Sequence, residues 1–196
     1  VIGAGLLGSS ITLAVSRSDS RSEAFVYSHR PATREKARQM QIADRVFDDQ
    51  GLCVENSRLL ILATPISTFE RIFKEMSPFL KPGTIVTDVG STKTLPHKWA
   101  RKILPKNVHY VGSHPIAGSE KRGIEFARDD LFSGARCIIT KTSGTNKKAA
   151  AVVCRFWKTL GCHLTEMSPA RHDRIFAAVS HVPHVTAAAL VNATRK

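Results

Sequence analysis

Three polar segments interrupt otherwise apolar stretches of this chain, and their side chains can move protons and hold anions. Asp88-Val89-Gly90-Ser91-Thr92-Lys93 follows one apolar run, and Gly112-Ser113-His114-Pro115-Ile116-Ala117-Gly118-Ser119-Glu120 follows the next. His172-Asp173 and Ser180-His181-Val182-Pro183-His184 come late, in a helical stretch. His114 is the general-base candidate. It comes directly after a strand-like run, in a glycine-framed loop that a rigid sheet would position. An imidazole that titrates near neutrality suits removal of a hydroxyl proton. The competing reading is a structural loop histidine. His172, His181 and His184 raise the question of a metal, but no acidic cluster completes a ligand set, so no metal is expected.

A second constellation is built from glycines. Gly3-Ala4-Gly5-Leu6-Leu7-Gly8 reads G-x-G-x-x-G, after a strand and opening a helix. In that context the first glycine makes the tight turn, the second lets backbone approach a pyrophosphate, and the third lets helix and strand pack closely. The helix N-terminus then faces the phosphates. A dinucleotide site is expected, against the plainer reading of a glycine-rich turn. An acidic residue about 20 positions on would bind the ribose 2′-hydroxyl of NAD. Ser28 stands there instead, followed by His29 and Arg30. A hydroxyl, an imidazole and a guanidinium can hold a 2′-phosphate that a carboxylate would repel. NADP is therefore expected over NAD, unless His29 and Arg30 simply start the next helix at the surface. Thr64 and Pro65, after the apolar run Arg58–Ala63, are read as lining the cofactor. With a hydride acceptor in place, His114 would take a hydroxyl proton as hydride leaves.

Elements of alternating period must position these groups. Helices are expected at Leu6–Ser16, Ala32–Met40, Ile66–Leu80, up to Ile103 and at Lys147–Leu160. Strands are expected at Ala24–Ser28, Arg58–Ala63, Thr84–Asp88, Val108–Val111, Ala135–Thr140 and His163–Glu166. From Ser168 onward the pattern reads as one long helix. Repeated strand–helix–strand units predict an α/β fold, a doubly wound, mainly parallel sheet of the Rossmann type. A boundary is expected near Met167-Ser168-Pro169, with residues 1–167 forming the nucleotide domain and 168–196 opening an all-helical one. Val1-Ile2 is short for a whole strand, so residues are expected before Val1, and the last thirty or so residues read as helix with no capping glycine, so residues are expected beyond Lys196.

The bulk numbers narrow the class. The 196 residues, 42% hydrophobic and 23% charged, suit an ordinary globular protein. No window holds roughly eighteen consecutive apolar residues, so no membrane partner is expected. The net charge of +13 is spread along the chain rather than gathered in one stripe, which argues against nucleic acid and suits an anionic cofactor and substrate. Cys53, Cys137, Cys154 and Cys162 show no CxxC spacing and read as buried thiols of a reducing cytosol.

GAGLLG, DVGSTK, GSHPIAGSEKRG and HDRIFAAVSHVPH, in this order, resemble the prephenate/arogenate dehydrogenase family across essentially the whole chain. The resemblance implies oxidative decarboxylation of prephenate or arogenate in tyrosine biosynthesis, and a homodimer through C-terminal helices. It implies that His114 takes the proton of the substrate ring hydroxyl and that Ser91 contacts that hydroxyl. Glu120 would order the site, His184 would lie on the substrate side, and Ser113 is placed with the substrate contacts. For Ser91 and Glu120 the competing reading is helix capping. The family's second domain supplies a basic residue for the substrate side-chain carboxylate, in a region past Lys196. Two other readings stand beside this one. A β-hydroxyacid-type reductase would need a lysine on the long helix, and Ser168–Thr194 has none. A non-catalytic NADP-binding Rossmann protein would not need His114 and Ser91.

Overall fold

The computed structural model describes residues 1–18, 22–118 and 120–194, so Ser119 of the histidine motif and the last two residues lie outside them. In chain order the elements are α1 (Leu6–Ser16), β1 (Phe25–Tyr27), α2 (Pro31–Gln39), β2 (Arg45–Phe47), α3 (Gln50–Glu55) and β3 (Leu59–Leu62). Next come α4 (Phe69–Met76), β4 (Ile85–Asp88), α5 (Thr94–Ile103), β5 (His109–Tyr110) and β6 (Gly112–Ile116). The chain continues with β7 (Arg136–Thr140), α6 (Lys147–Thr159), β8 (His163–Met167), α7 (Pro169–Phe176) and α8 (Val182–Thr194).

Ile2 is the hinge of the sheet. It bridges Tyr27 on one side and Leu62 on the other, both in parallel. Its amide donates to Ile61 O at 2.9 Å, and its carbonyl accepts from Ala63 N at 2.8 Å. The parallel order is therefore β2, β1, the Ile2 segment, β3, β4, β5. Counted from Ile2 as the first strand, this is the doubly wound 3-2-1-4-5-6 arrangement, whose ligand crevice opens where the order reverses. That crevice lies between β1 and β3, above Gly3.

Two apolar layers cover the sheet. One gathers Ile11, Val26, Ile139, Val153 and Trp157, and the other Leu60, Leu62, Phe69, Phe73 and Val86. α4 shows how sequence makes such a layer. Phe69, Ile72, Phe73 and Met76 are all buried at helical spacing. Its outer face carries Arg71–Glu75 and Lys74–Glu70 ion pairs, four residues apart. The helix expected over Ile66–Leu80 is shorter than its pattern, with tighter 3-10 turns at 66–68 and 77–79 flanking α4. Pro78 lacks the amide that another α-turn would need.

Three further expectations are corrected. β2 and α3 were not anticipated, since Arg45–Phe47 is a strand of only three residues and Gly51 sits inside the helix. The histidine segment is not a loop. β6 pairs antiparallel with β7, placing His114 opposite Ile138, and β8 then adds in parallel to β7. Gly112 allows that pairing, because a Cβ there would stand 2.4 Å from Thr140 Oγ1. The long helix is also interrupted. A π-helical turn at Ala177–His181 separates α7 from α8. Pro183 follows it, and a widened turn relieves the clash of the proline ring with the carbonyl four residues earlier.

The run Pro169–Thr194 spans 26 residues, with a window of mean hydropathy 1.3, and is long and apolar enough to cross a membrane. The expectation of no such helix rested on unbroken apolar runs. Here alanines and valines carry the average past a few polar residues. Val179, Val185 and Leu190 are each about two-thirds exposed on it, at 66%, 67% and 65%.

Candidate active site and nucleotide cleft

The glycine loop divides its labour as the pattern predicts. Gly3 has φ +109, and a Cβ there would lie 2.7 Å from the Ala63 carbonyl. A Cβ on Gly8 would stand 1.9 Å from Gly3 O, so any side chain at Gly8 forces helix and strand apart. Gly5 meets nothing within 4 Å, which leaves open space over the first turn of α1. Gly5 is the N-cap of that helix and supplies no side-chain cap, so the amides from Leu6 and Leu7 onward remain available to an anion. These residues fit a pyrophosphate.

A cavity of about 520 Å³ opens beside the loop, lined by Gly3, Tyr27, His29, Thr64, Pro65 and Thr68 among others. Thr64 and Thr68 hydroxyls bond each other at 2.9 Å and hold the turn after β3. His29 and Arg30 are exposed after β1, whereas Ser28 is only 8% exposed. Its hydroxyl accepts from Arg30 N at 3.5 Å, and its carbonyl accepts from Arg34 Nη1 at 2.8 Å. Asp49 and Glu75 also line the cavity, but Asp49 caps α3 through Leu52 N and Glu75 pairs with Arg71. Tyr27, Thr68 and Arg71 were not singled out in the sequence, since no local motif marks them.

The histidine end is built differently, from side chains tied to one another. Asp88, at the end of β4, is fully buried and pairs with the fully buried Lys93. The same carboxylate accepts from Tyr110 Oη at 2.7 Å and from Gly90 N at 2.9 Å. Lys93 Nζ also donates to Ser113 O at 2.7 Å, stitching the loop after β4 to β6. Burial pushes the Lys93 ammonium down while Asp88 holds it up. Burial and the Asp88 charge push the Tyr110 phenol well above its usual range.

Ser113, expected beside the substrate, has no exposed surface. Its hydroxyl bonds Asp88 O and lies 2.9 Å from Thr87 Oγ1, because alternation along β6 turns it inward. Ser91 is exposed in the loop between Asp88 and Lys93, and Glu120 is exposed beyond β6. His184 is exposed on α8.

His114 is half-buried and bonds, through Nδ1, to His172 Nε2 at 2.9 Å. His172 Nδ1 reaches Asp173 Oδ1 at 2.8 Å. Asp173 in turn accepts from the amides of Lys93 at 2.7 Å and Thr94 at 2.8 Å. Phe176 stacks on His172 at 4.5 Å and tilts against His114 at 4.8 Å. Burial, reinforced by Lys93, His172 and His181, lowers the His114 pKa to about 3. The ring is therefore neutral near pH 7, with one nitrogen lone pair able to accept a proton. In the sequence His172-Asp173 is one of the polar segments that could do chemistry, and His172 a possible metal ligand with His181 and His184, but neither residue is assigned to the site. Their signal was the His-Asp pair one turn into a capped helix.

Two family descriptions match this chain: the prephenate dehydrogenase nucleotide-binding domain over residues 11–166, and the prephenate dehydrogenase dimerization domain over 168–196. The chain belongs to the prephenate dehydrogenase family. Among relatives of that family, prephenate dehydrogenase of Bacillus subtilis is 32% identical over 98% of this chain and 52% of its own length. A crystal structure of prephenate dehydrogenase from Aquifex aeolicus, in complex with hydroxyphenyl propionate and NAD+, superposes with a TM-score of 0.91 at 36% identity. That match covers 98% of this chain and 67% of the other. Arogenate dehydrogenase of Synechocystis gives a TM-score of 0.85 at 30% identity, with the same coverage. The chain thus spans about half to two-thirds of the length of the curated relatives it matches over nearly its whole length.

Proposed function

We propose that this chain is the nucleotide-binding part of an enzyme that oxidatively decarboxylates prephenate or arogenate and passes the hydride to NADP. The observation that carries the proposal is a neutral, half-buried His114, anchored on the same framework as a glycine cleft suited to a dinucleotide. The nicotinamide supplies the hydride acceptor, and the protein's own groups do the rest. His114 takes the proton of the substrate ring hydroxyl, which eases hydride departure from the same carbon. Ser91 holds that hydroxyl, while Glu120 and His184 border the substrate. Loss of carbon dioxide then aromatises the ring. Ser113 serves the frame and not the substrate.

The preference for NADP rests on the end of β1, where no carboxylate stands. Ser28, His29 and Arg30 offer neutral and cationic groups to a 2′-phosphate, and the acids nearest the cleft are already held by Leu52 N and Arg71. Residues 1–167 act as the nucleotide domain, and the helices from Ser168 begin a second one. Exposed Val179, Val182, Val185, Leu190 and Val191 meet a second copy of the chain, which fits an apolar patch too large to leave in water.

The test is a titration of the purified protein with NADP and NAD, followed by nicotinamide absorbance after adding prephenate, then arogenate. Reduction with NADP supports the proposal and names the substrate. NADP binding without reduction points to substrate groups outside this chain. Absence of affinity for either nucleotide overturns it.

A further inference from the structure

A proton relay can be read donor by donor from the three side chains behind His114. Asp173 offers two oxygens, and both receive backbone amides, which can only donate. Burial pushes this carboxyl up, but hydrogen bonds from Thr94 and His172 and the amides of Thr94 and Lys93 together hold it below the usual range. It is therefore an acceptor, and the His172 Nδ1 that approaches Asp173 Oδ1 at 2.8 Å carries a proton. His172 is fully buried, and burial, with the Lys93 charge, lowers its pKa against the pull of Asp173. A neutral ring protonated at Nδ1 has a bare Nε2. That bare nitrogen lies 2.9 Å from His114 Nδ1, so His114 must donate there. Its remaining nitrogen, Nε2, is then a lone pair, with no hydrogen-bond partner among the described residues.

We propose that His172 and Asp173 are positioning residues that fix His114 in its Nδ1–H tautomer and so reserve Nε2 as the proton acceptor. The consequence for catalysis rests on the reading of His114 as the base. The tautomer itself does not. The anchoring is long-range. Asp173 sits on α7 and its amide partners, Lys93 and Thr94, open α5, so docking α7 sets the protonation pattern on β6. Without the relay, a free imidazole exchanges its proton between both nitrogens. Part of the population then presents an N–H to a substrate hydroxyl and cannot take its proton.

The experiment is two-bond 1H–15N correlation NMR on the full chain labelled at histidine, at pH 7. The expected result is a pyrrole-type shift for His114 Nδ1 and a pyridine-type shift for Nε2, with His172 showing the same pattern. A proton on His114 Nε2 overturns the proposal. Asp173→Asn can turn an amide N–H toward His172 Nδ1, which reverses the chain of donors and moves the His114 proton to Nε2. If that variant fails to fold, two others decide. His172→Gln keeps an acceptor oxygen for His114 Nδ1–H and should retain the wild-type signature. His172→Phe removes the acceptor and should give a mixture of tautomers. An unchanged His114 signature in His172→Phe overturns the proposal. Where substrate is turned over, Asp173→Asn should lower kcat roughly 10²–10⁴-fold with KM little changed, and His172→Gln should recover most of it. Turnover that survives His114→Gln would remove the base reading and leave the tautomer assignment standing.

Discussion

The two ends of this site are built on opposite principles. The nucleotide cleft works through side chains that are missing. Gly3 and Gly8 allow backbones to touch, and Gly5 leaves a helix terminus uncovered. The histidine end works through side chains that are present and mutually committed. Asp88, Lys93, Tyr110 and Ser113 share one buried network, and Asp173, His172 and His114 form another that meets it at Lys93. A cleft of bare backbone offers the same donors to any phosphate, so its specificity must come from the rim at Ser28–Arg30. A network of committed polar atoms has few alternatives, and so fixes one nitrogen of one imidazole. The first end tolerates loss of ligand and fears added bulk. The second fears the loss of any member.

The sharpest break of the histidine end is Lys93→Met. It leaves Asp88 buried with no opposing charge, and removing one partner of a buried pair costs about 3–5 kcal/mol. Urea unfolding should show the midpoint falling accordingly, with the slope unchanged. Asp88→Asn added to Lys93→Met should recover part of the loss, because the orphaned charge goes with it. If Lys93→Met alone unfolds like the wild type, the network is not the scaffold of this end.

The same contrast explains what the sequence disclosed. The glycine loop was legible because its residues are neighbours in the chain, and each does its work within a few positions of the next. Helix α1 and the strands β3 and β4 were legible for the same local reason, β3 as a continuous apolar run buried along most of its length. The relay was not, since His114 and His172 are 58 residues apart, and Asp173 and Lys93 are 80 apart. His114 was singled out as the base candidate and placed in a loop, because Gly112, Pro115 and Gly118 look like turn residues. Only the antiparallel pairing with β7 shows that Gly112 serves close packing. The π turn was hidden as well, since it answers Pro183 three-dimensionally while the hydrophobic pattern runs on.

The cleft is tested by placing bulk in two glycines that fail differently. Gly8→Ala puts a Cβ into the Gly3 carbonyl, and overpacking of this kind costs about 1–3 kcal/mol or more. Both thermal stability and NADP affinity should fall. Gly5→Ala adds a methyl to open space, so stability should hold while NADP affinity drops. Calorimetry and a fluorescence titration of both variants separate the outcomes. Equal loss of stability in the two would mean that Gly5 also serves packing, and the division of labour would fail.

Acid provides the gentlest test, because the glycine loop carries nothing that titrates while the network end carries three depressed histidines, His97, His114 and His172. His114 is lowered to about 3, and His97 to about 4 chiefly by burial, its Nε2 lying 2.9 Å from Thr140 Oγ1. Near pH 7 both states hold these rings neutral. As pH falls through about 6.5, the unfolded chain takes up protons that the folded chain refuses, so stability declines and continues to decline toward the folded values. From pH 7 to 6 the loss is under about 1 kcal/mol per histidine by linkage. Confining the measurement to pH 7–5.5 keeps most of the carboxylates out of range. Urea midpoints across that window should fall with acid, and His97→Gln should flatten the slope by one histidine's share while leaving the His114 share in place. A slope unchanged by His97→Gln would mean that this ring accepts its proton in the folded state, and that the pocket between Tyr110 and Thr140 is open to water.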